Sequence, residues 1–149
     1  MTNIKEALML NKASVAEMIL KEYTGRITGM LAQENPRSVD HFGILAELLN
    51  LKLECKRFWI DIHEKIESAN LENNAVINKL KVEIEAAADH DGKKIYTNDI
   101  KRKAELDERV NADQSFTSRQ HIITSGRLLQ AEVDLAESII RSLISFLEK

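Results

Sequence analysis

Around one aromatic ring the sequence gathers a set of cations: Lys81, Lys93, Lys94, Lys101, Arg102 and Lys103, with Tyr96 among them. Cations and an aromatic at such spacing can hold the phosphates of a single strand while the ring stacks on a base. The same charges also suit a solvated connection, because Asp99, Glu105, Asp107 and Glu108 stand close by. Two other groupings carry reactive types. Asp89, His90 and Asp91, with Glu85 one helical turn earlier, offer oxygen and imidazole ligands. A metal needs three or four converging ligands, and neighbours on a fraying helix end point apart, so this reads as a solvated turn. Arg57 and His63 stand as Arg-x5-His, a spacing that any charged helix produces by chance. Cys55, the one cysteine, sits among apolar neighbours and reads as a small core residue. Alone it excludes an internal disulfide and fits a reducing compartment. There is no Gly-rich phosphate loop, CxxC pair, HExxH or GxSxG. Neither catalysis nor a cofactor has a positive sign here.

These side chains need elements to position them. Hydrophobic residues at 44% and charged residues at 30%, with 5 Gly and 1 Pro in 149 residues, predict an all-α chain with few long helices in one domain. A net charge of −3 does not announce a nucleic-acid binder as a whole. The N-terminus lacks a signal-peptide pattern, and no run approaches the roughly 18 apolar residues of a membrane span, so a cytoplasmic location without membrane contact is expected.

Four segments are predicted: an N-terminal helical segment over 1–34, a long helix over 35–91, a connection over 92–97 and C-terminal helices over 98–149. Asn35 is placed to cap a helix beginning at Pro36. Ser14 to Glu17 reads as a capping box, and Asn3 to Glu6 as a weaker one. Gly25 and Gly29 form a GxxxG, suited to close helix packing or to weakening the helix. From Ile44 to Asp91 no Gly or Pro occurs. The stripe Leu48, Leu51, Cys55, Phe58, Ile62, Ile66, Ala69, Val76, Leu80, Ile84, Ala87 advances by threes and fours, with Asn73 as its weak step. Three asparagines, Asn70, Asn73 and Asn74, make a bend plausible there. Gly92 is expected as the left-handed stop of this helix. Thr97, Asn98 or Asp99 caps the next, and Asn111 to Asp113 is a second cap or a polar spot in a continuing helix.

The last segment ends in a broad apolar arc: Ile139, Ile140, Leu143, Ile144, Phe146 and Leu147. An arc wider than one seam seeks more than one neighbour. With helices too long to cover each other, it predicts a coiled-coil-like homo-oligomer through these residues. A monomeric four-helix bundle is the alternative.

The landmarks, in order, resemble the UvsY recombination mediators of T-even type phages. Lys56 to Ile66, KRFWIDIHEKI, resembles that family's Lys-Trp-Leu segment through Trp59, His63 and Ile66, with Phe58 in place of the Lys before the Trp. LKVEIEAAADHDG resembles its Leu-Lys-Ala-Arg-Leu-Asp-Tyr-Tyr run and Gly-rich turn; Ala112 and Asp113 resemble its Ala-Asp segment; GRLLQ and SIIRS fall in a long last helix. The likeness is a pattern over roughly Leu49 to Ser142, and none of its motifs is specific. It implies a ring-like helical oligomer without catalysis that binds single-stranded DNA, contacts single-strand-binding protein and loads a recombinase. Lys81 keeps the family's Lys, whereas Glu83 replaces an Arg and Ala86 and Ala87 replace two Tyr. DNA binding is therefore either moved to the 93–103 patch or lost. Two other readings stand beside this one. The chain is an acidic helical assembly or adaptor protein that binds protein only, or, from the resemblance of Arg57 and His63 to the pair of helical HEPN-type ribonucleases, an RNA-cleaving enzyme.

Overall fold

The computed structural model describes residues 14–35 and 38–149. Most of them lie in four helices, α1 (Val15–Leu31), α2 (Ser38–Ala86), α3 (Asp99–Ala112) and α4 (Gln114–Glu148). The all-α expectation, with a very long central helix and a long C-terminal one, is met. The weaker capping box at Asn3 to Glu6 and the Pro36 helix start lie outside the described residues. At 49 residues α2 stays helical across Asn70 to Asn74, so the asparagines do not interrupt it. Among the described residues no helix is long and apolar enough to cross a membrane.

The chain packs as two compact units. The first holds the described residues up to His63 together with Arg127–Lys149; the second is Glu64–Gly126.

In the first unit, Val15, Ile19, Tyr23, Ile27 and Met30 of α1 recur every three or four residues and are buried. They share a core with Ile44, Leu48, Leu51 and Cys55 of α2 and with Val133, Ala136, Ile140, Ile144 and Leu147 of α4. Half of the C-terminal arc is thereby accounted for within one chain. Ile140, Ile144 and Leu147 are core residues, Ile139 and Leu143 are half-buried, and Phe146 alone is exposed. The arc does meet more than one neighbour, but the neighbours are the chain's own helices, so Ile140, Ile144 and Leu147 are not available to another copy.

Tyr23 is fully buried, and its hydroxyl donates to Glu47 Oε2 at 2.9 Å. Arg26 grips the same carboxylate with both terminal nitrogens and lies over the Tyr23 ring, 5.1 Å from its centroid. The hydrogen bond from Arg26 holds the Glu47 carboxyl below its ordinary range. The capping box at Ser14 does not form: its hydroxyl donates to Glu132 Oε2 at 3.3 Å and caps nothing in α1. A Cβ added at Gly25 or Gly29 would meet open space, so this GxxxG serves no close approach among the described residues.

The second unit buries Ile66, Ala69, Ile84 and Ile123 around a polar residue, Asn73, 3% exposed. The weak step in the apolar stripe is a clamp. Asn73 Nδ2 donates to the Phe116 carbonyl at 3.3 Å, and its Oδ1 accepts from Arg119 Nε at 2.7 Å. Arg119 also pairs with Glu72 at 3.4 Å. Leucine at position 73 would leave a part-buried guanidinium N–H without its acceptor, so Asn73→Leu is expected to destabilise by about 1–3 kcal/mol. Urea denaturation reads this as a lower midpoint at unchanged slope. Asn73→Leu combined with Arg119→Leu should recover part of the loss, because no orphaned donor then remains; a double variant as weak as the sum of both singles contradicts the clamp.

Candidate nucleic-acid interface

The segment that carries the predicted cations departs from its sequence reading. α2 ends at Ala86, five residues before the expected stop at Asp91, although Ala87 and Ala88 are good helix formers. The competing structure is a miniature hairpin. Ile95 N donates to Ala87 O at 3.1 Å, Asp89 N to Lys93 O at 2.8 Å, and Ala88 forms an isolated antiparallel bridge with Lys94. Gly92 N donates back to Asp89 O at 3.0 Å, and Gly92 has φ 77°, a left-handed conformation that glycine adopts without Cβ strain. Gly92 therefore closes a three-residue turn instead of capping a helix. The Asp89 carboxylate accepts from the backbone N–H of Asp91 at 3.0 Å and of Lys93 at 2.9 Å, which fixes the turn. Asp89 is a turn-forming residue here. Among the described residues no three His, Cys, Asp or Glu side chains gather closely enough to hold a metal.

The hairpin feeds α3 through Tyr96 to Asn98. Asn98 is the N-cap: its Oδ1 accepts from Lys101 N at 2.9 Å. Asp113 separates α3 from α4 and caps the latter, accepting from Phe116 N at 3.0 Å, so Asn111 to Asp113 is a true cap.

Two of the predicted nucleic-acid-binding residues, Arg102 and Tyr96, are engaged within the chain. Arg102 Nη2 donates to Asp99 Oδ1 at 2.6 Å and Nη1 reaches the Tyr96 carbonyl at 3.5 Å, so this guanidinium braces the connection onto α3. Tyr96 is half-buried, and its carbonyl accepts from Arg102. A half-buried ring offers only part of its face for stacking on a base. Arg109 Nε donates to Glu105 at 2.7 Å, and Arg109 also lies 3.8 Å from Glu83. The hydrogen bond from Arg109 keeps the Glu105 carboxyl below its ordinary range.

The remaining predicted cations differ. Lys81, Lys93, Lys94, Lys101 and Lys103 are all exposed, and none has a carboxylate partner among the described residues. Of the acids that stand close by in sequence, Asp99 is engaged by Arg102 and Glu105 by Arg109, while Asp107 and Glu108 are exposed and form no ion pair with these lysines among the described residues. The five lysines do not form one row. Lys101 and Lys103, two residues apart on a helix, project on the order of 200° from one another.

The other chemistry-bearing residues stay apart. Arg57 and His63 are both exposed on unbroken α2, where six residues separate side chains by on the order of 240°, so they do not converge as an acid–base pair. His63 instead stacks on Trp59, centroids 5.0 Å apart and planes 12° apart. Cys55 is fully buried; burial first, then Glu137 and Glu54, pushes its thiol up to about 11, which leaves it protonated and a poor nucleophile at neutral pH.

Comparison of the chain with protein-family models, with curated proteins and with solved structures finds no match.

Proposed function

We propose that this chain is a non-enzymatic recombination mediator of the kind its sequence resembles, binding single-stranded DNA through Lys81, Lys93, Lys94, Lys101 and Lys103. The supporting observation lies at that end of the Glu64–Gly126 unit: Arg102 and Arg109 are taken by Asp99, Glu105 and Glu83, while five lysines are exposed with no carboxylate partner among the described residues. Phosphates would be the partners that complete them. The resemblance supplies the rest of the reading, with contacts to a single-strand-binding protein and a recombinase. Mediation of this type is thermodynamic. The mediator moves a strand from one bound protein to another by holding one state more tightly, and no bond is made or broken.

Anisotropy of a labelled single-stranded oligonucleotide tests this reading. With about five phosphate contacts the log–log salt slope should be near −3.5, roughly a 100-fold loss of affinity between about 50 and 200 mM salt. Absence of any signal at low salt removes the DNA half of the proposal. A second reading, the helical adaptor that binds protein only, is favoured by one observation: between Lys79 and Arg109 acidic residues equal basic ones in number. It predicts that absent signal.

A further inference from the structure

The first unit carries a second helical stripe that its own core does not use. On α2, Val39, Phe42, Ala46, Leu49, Leu53, Lys56 and Ile60 advance by alternating threes and fours, and every one of them is exposed. This is a heptad seam of three repeats, with apolar residues at all positions but one. It is distinct from the buried stripe through Leu48, Leu51 and Cys55. Its five large apolar side chains are 43 to 75% exposed. Its middle opens into a cleft of about 710 Å³ against α4, where Trp59 also lies. The indole N–H of Trp59 is buried and meets no acceptor among the described residues, which marks this side of the unit as incomplete in one chain.

We propose that two copies of this chain pair antiparallel along this stripe. Charge selects the partner's direction. In a parallel, in-register pair the lysine position would stack Lys56 on Lys56 of the second copy, in the seam itself. Antiparallel pairing about a two-fold axis near Leu51 sets Ala46 opposite the second copy's Lys56, Leu49 opposite its Leu53, and Phe42 opposite its Ile60. The two like charges then fall in separate layers, about 15 Å apart along the seam, each long side chain passes over the smallest residue of the seam, Leu49 and Leu53 pair at its centre and Phe42 and Ile60 at its ends. The interface is isologous, as a two-fold pair requires. The exposed area on the stripe is on the order of 500–600 Å² per copy, so two copies together reach the roughly 1,000 Å² of a specific interface. A foreign helix would share the heptad geometry but would have no reason to match these self-complementary layers.

The pairing deepens the homo-oligomer of the reading above and does not depend on DNA. It also moves the contact away from the C-terminal arc, most of which lies in the core or at its edge. Sedimentation equilibrium of the full chain without DNA, at tens of micromolar, should show a dimer. Leu49→Glu with Leu53→Glu should give a monomer with unchanged helical circular dichroism, because both side chains are about half exposed in the single chain. Direction is read by oxidation. Phe42→Cys and Ile60→Cys chains should form inter-chain disulfides when mixed and little when alone, whereas a parallel pair would cross-link each variant with itself. A monomeric wild type, a double glutamate variant that still dimerises, or self-cross-linking of either cysteine variant overturns the proposal. Each of these outcomes leaves the DNA-binding test standing by itself.

Discussion

Replacing Tyr23 by alanine is expected to lower the stability of the chain by about 3–5 kcal/mol, a large part of the roughly 5–15 kcal/mol available to a protein of this kind. Two effects compete for the credit. The ring is fully buried among α1, α2 and α4, and its removal empties a space that the surrounding helices cannot close. The hydroxyl also belongs to the group formed with Glu47 and Arg26, but the side chains of that pair are 42% and 38% exposed, where ion pairs contribute little. Burial should therefore dominate. Tyr23→Phe, which keeps the ring and loses one hydrogen bond, should cost only about 1 kcal/mol. In thermal unfolding the alanine variant should melt roughly 6–20 °C lower, at about 2–4 °C per kcal/mol for a chain of this length. Equal losses in the two variants would mean that the hydroxyl network, and not the ring, holds α1 in place.

What was legible in the sequence follows from which forces are local. The stripe from Leu48 to Ile84 obeys the helical period by itself, and its members are buried or half-buried in α2. The caps Asn98 and Asp113 are equally local, one carboxamide or carboxylate reaching three residues on. The end of α2 was not legible, because Ala87 and Ala88 favour helix and are captured instead by pairing with Lys94 and Ile95 across a turn. Nor was the role of Asn73, which looks like a flaw in an apolar stripe until Arg119, 46 residues later, is placed beside it. The same reasoning applies to the cations. Their types and positions were visible, but which of them are neutralised depends on where Glu105 meets Arg109 and where Asp99 meets Arg102, and that is geometry of the folded connection. The C-terminal arc is the reverse case. Its breadth correctly indicates several neighbours, while breadth alone is silent on whether those neighbours belong to the same chain. The exposed seam from Val39 to Ile60 was hidden for a related reason: it lies two residues out of phase with the core stripe, and only burial separates the two.

Reversing Lys93, Lys94, Lys101 and Lys103 to glutamate together should abolish measurable binding of single-stranded DNA, if the mediator reading is right. Each lost phosphate contact removes about 0.7 from the salt slope, so the four should reduce its magnitude by nearly 3, and four carboxylates in their place repel the strand. The expected loss at low salt is at least about 100-fold. The fold should be untouched, because the side chains are exposed and the hydrogen bonds of Lys93 and Lys101 that build the hairpin and the α3 cap use only their backbones. A general change in net charge would produce a weaker version of the same effect, and it can be separated. Lys93→Glu with Lys94→Glu should weaken binding far more than Lys21→Glu with Lys65→Glu, an exposed pair equal in charge that belongs to neither the hairpin nor α3. Equal effects of the two pairs would show that the strand senses only the overall field of the protein. The assignment of its contacts to the hairpin and the start of α3 would then fall, whatever affinity the wild type retains.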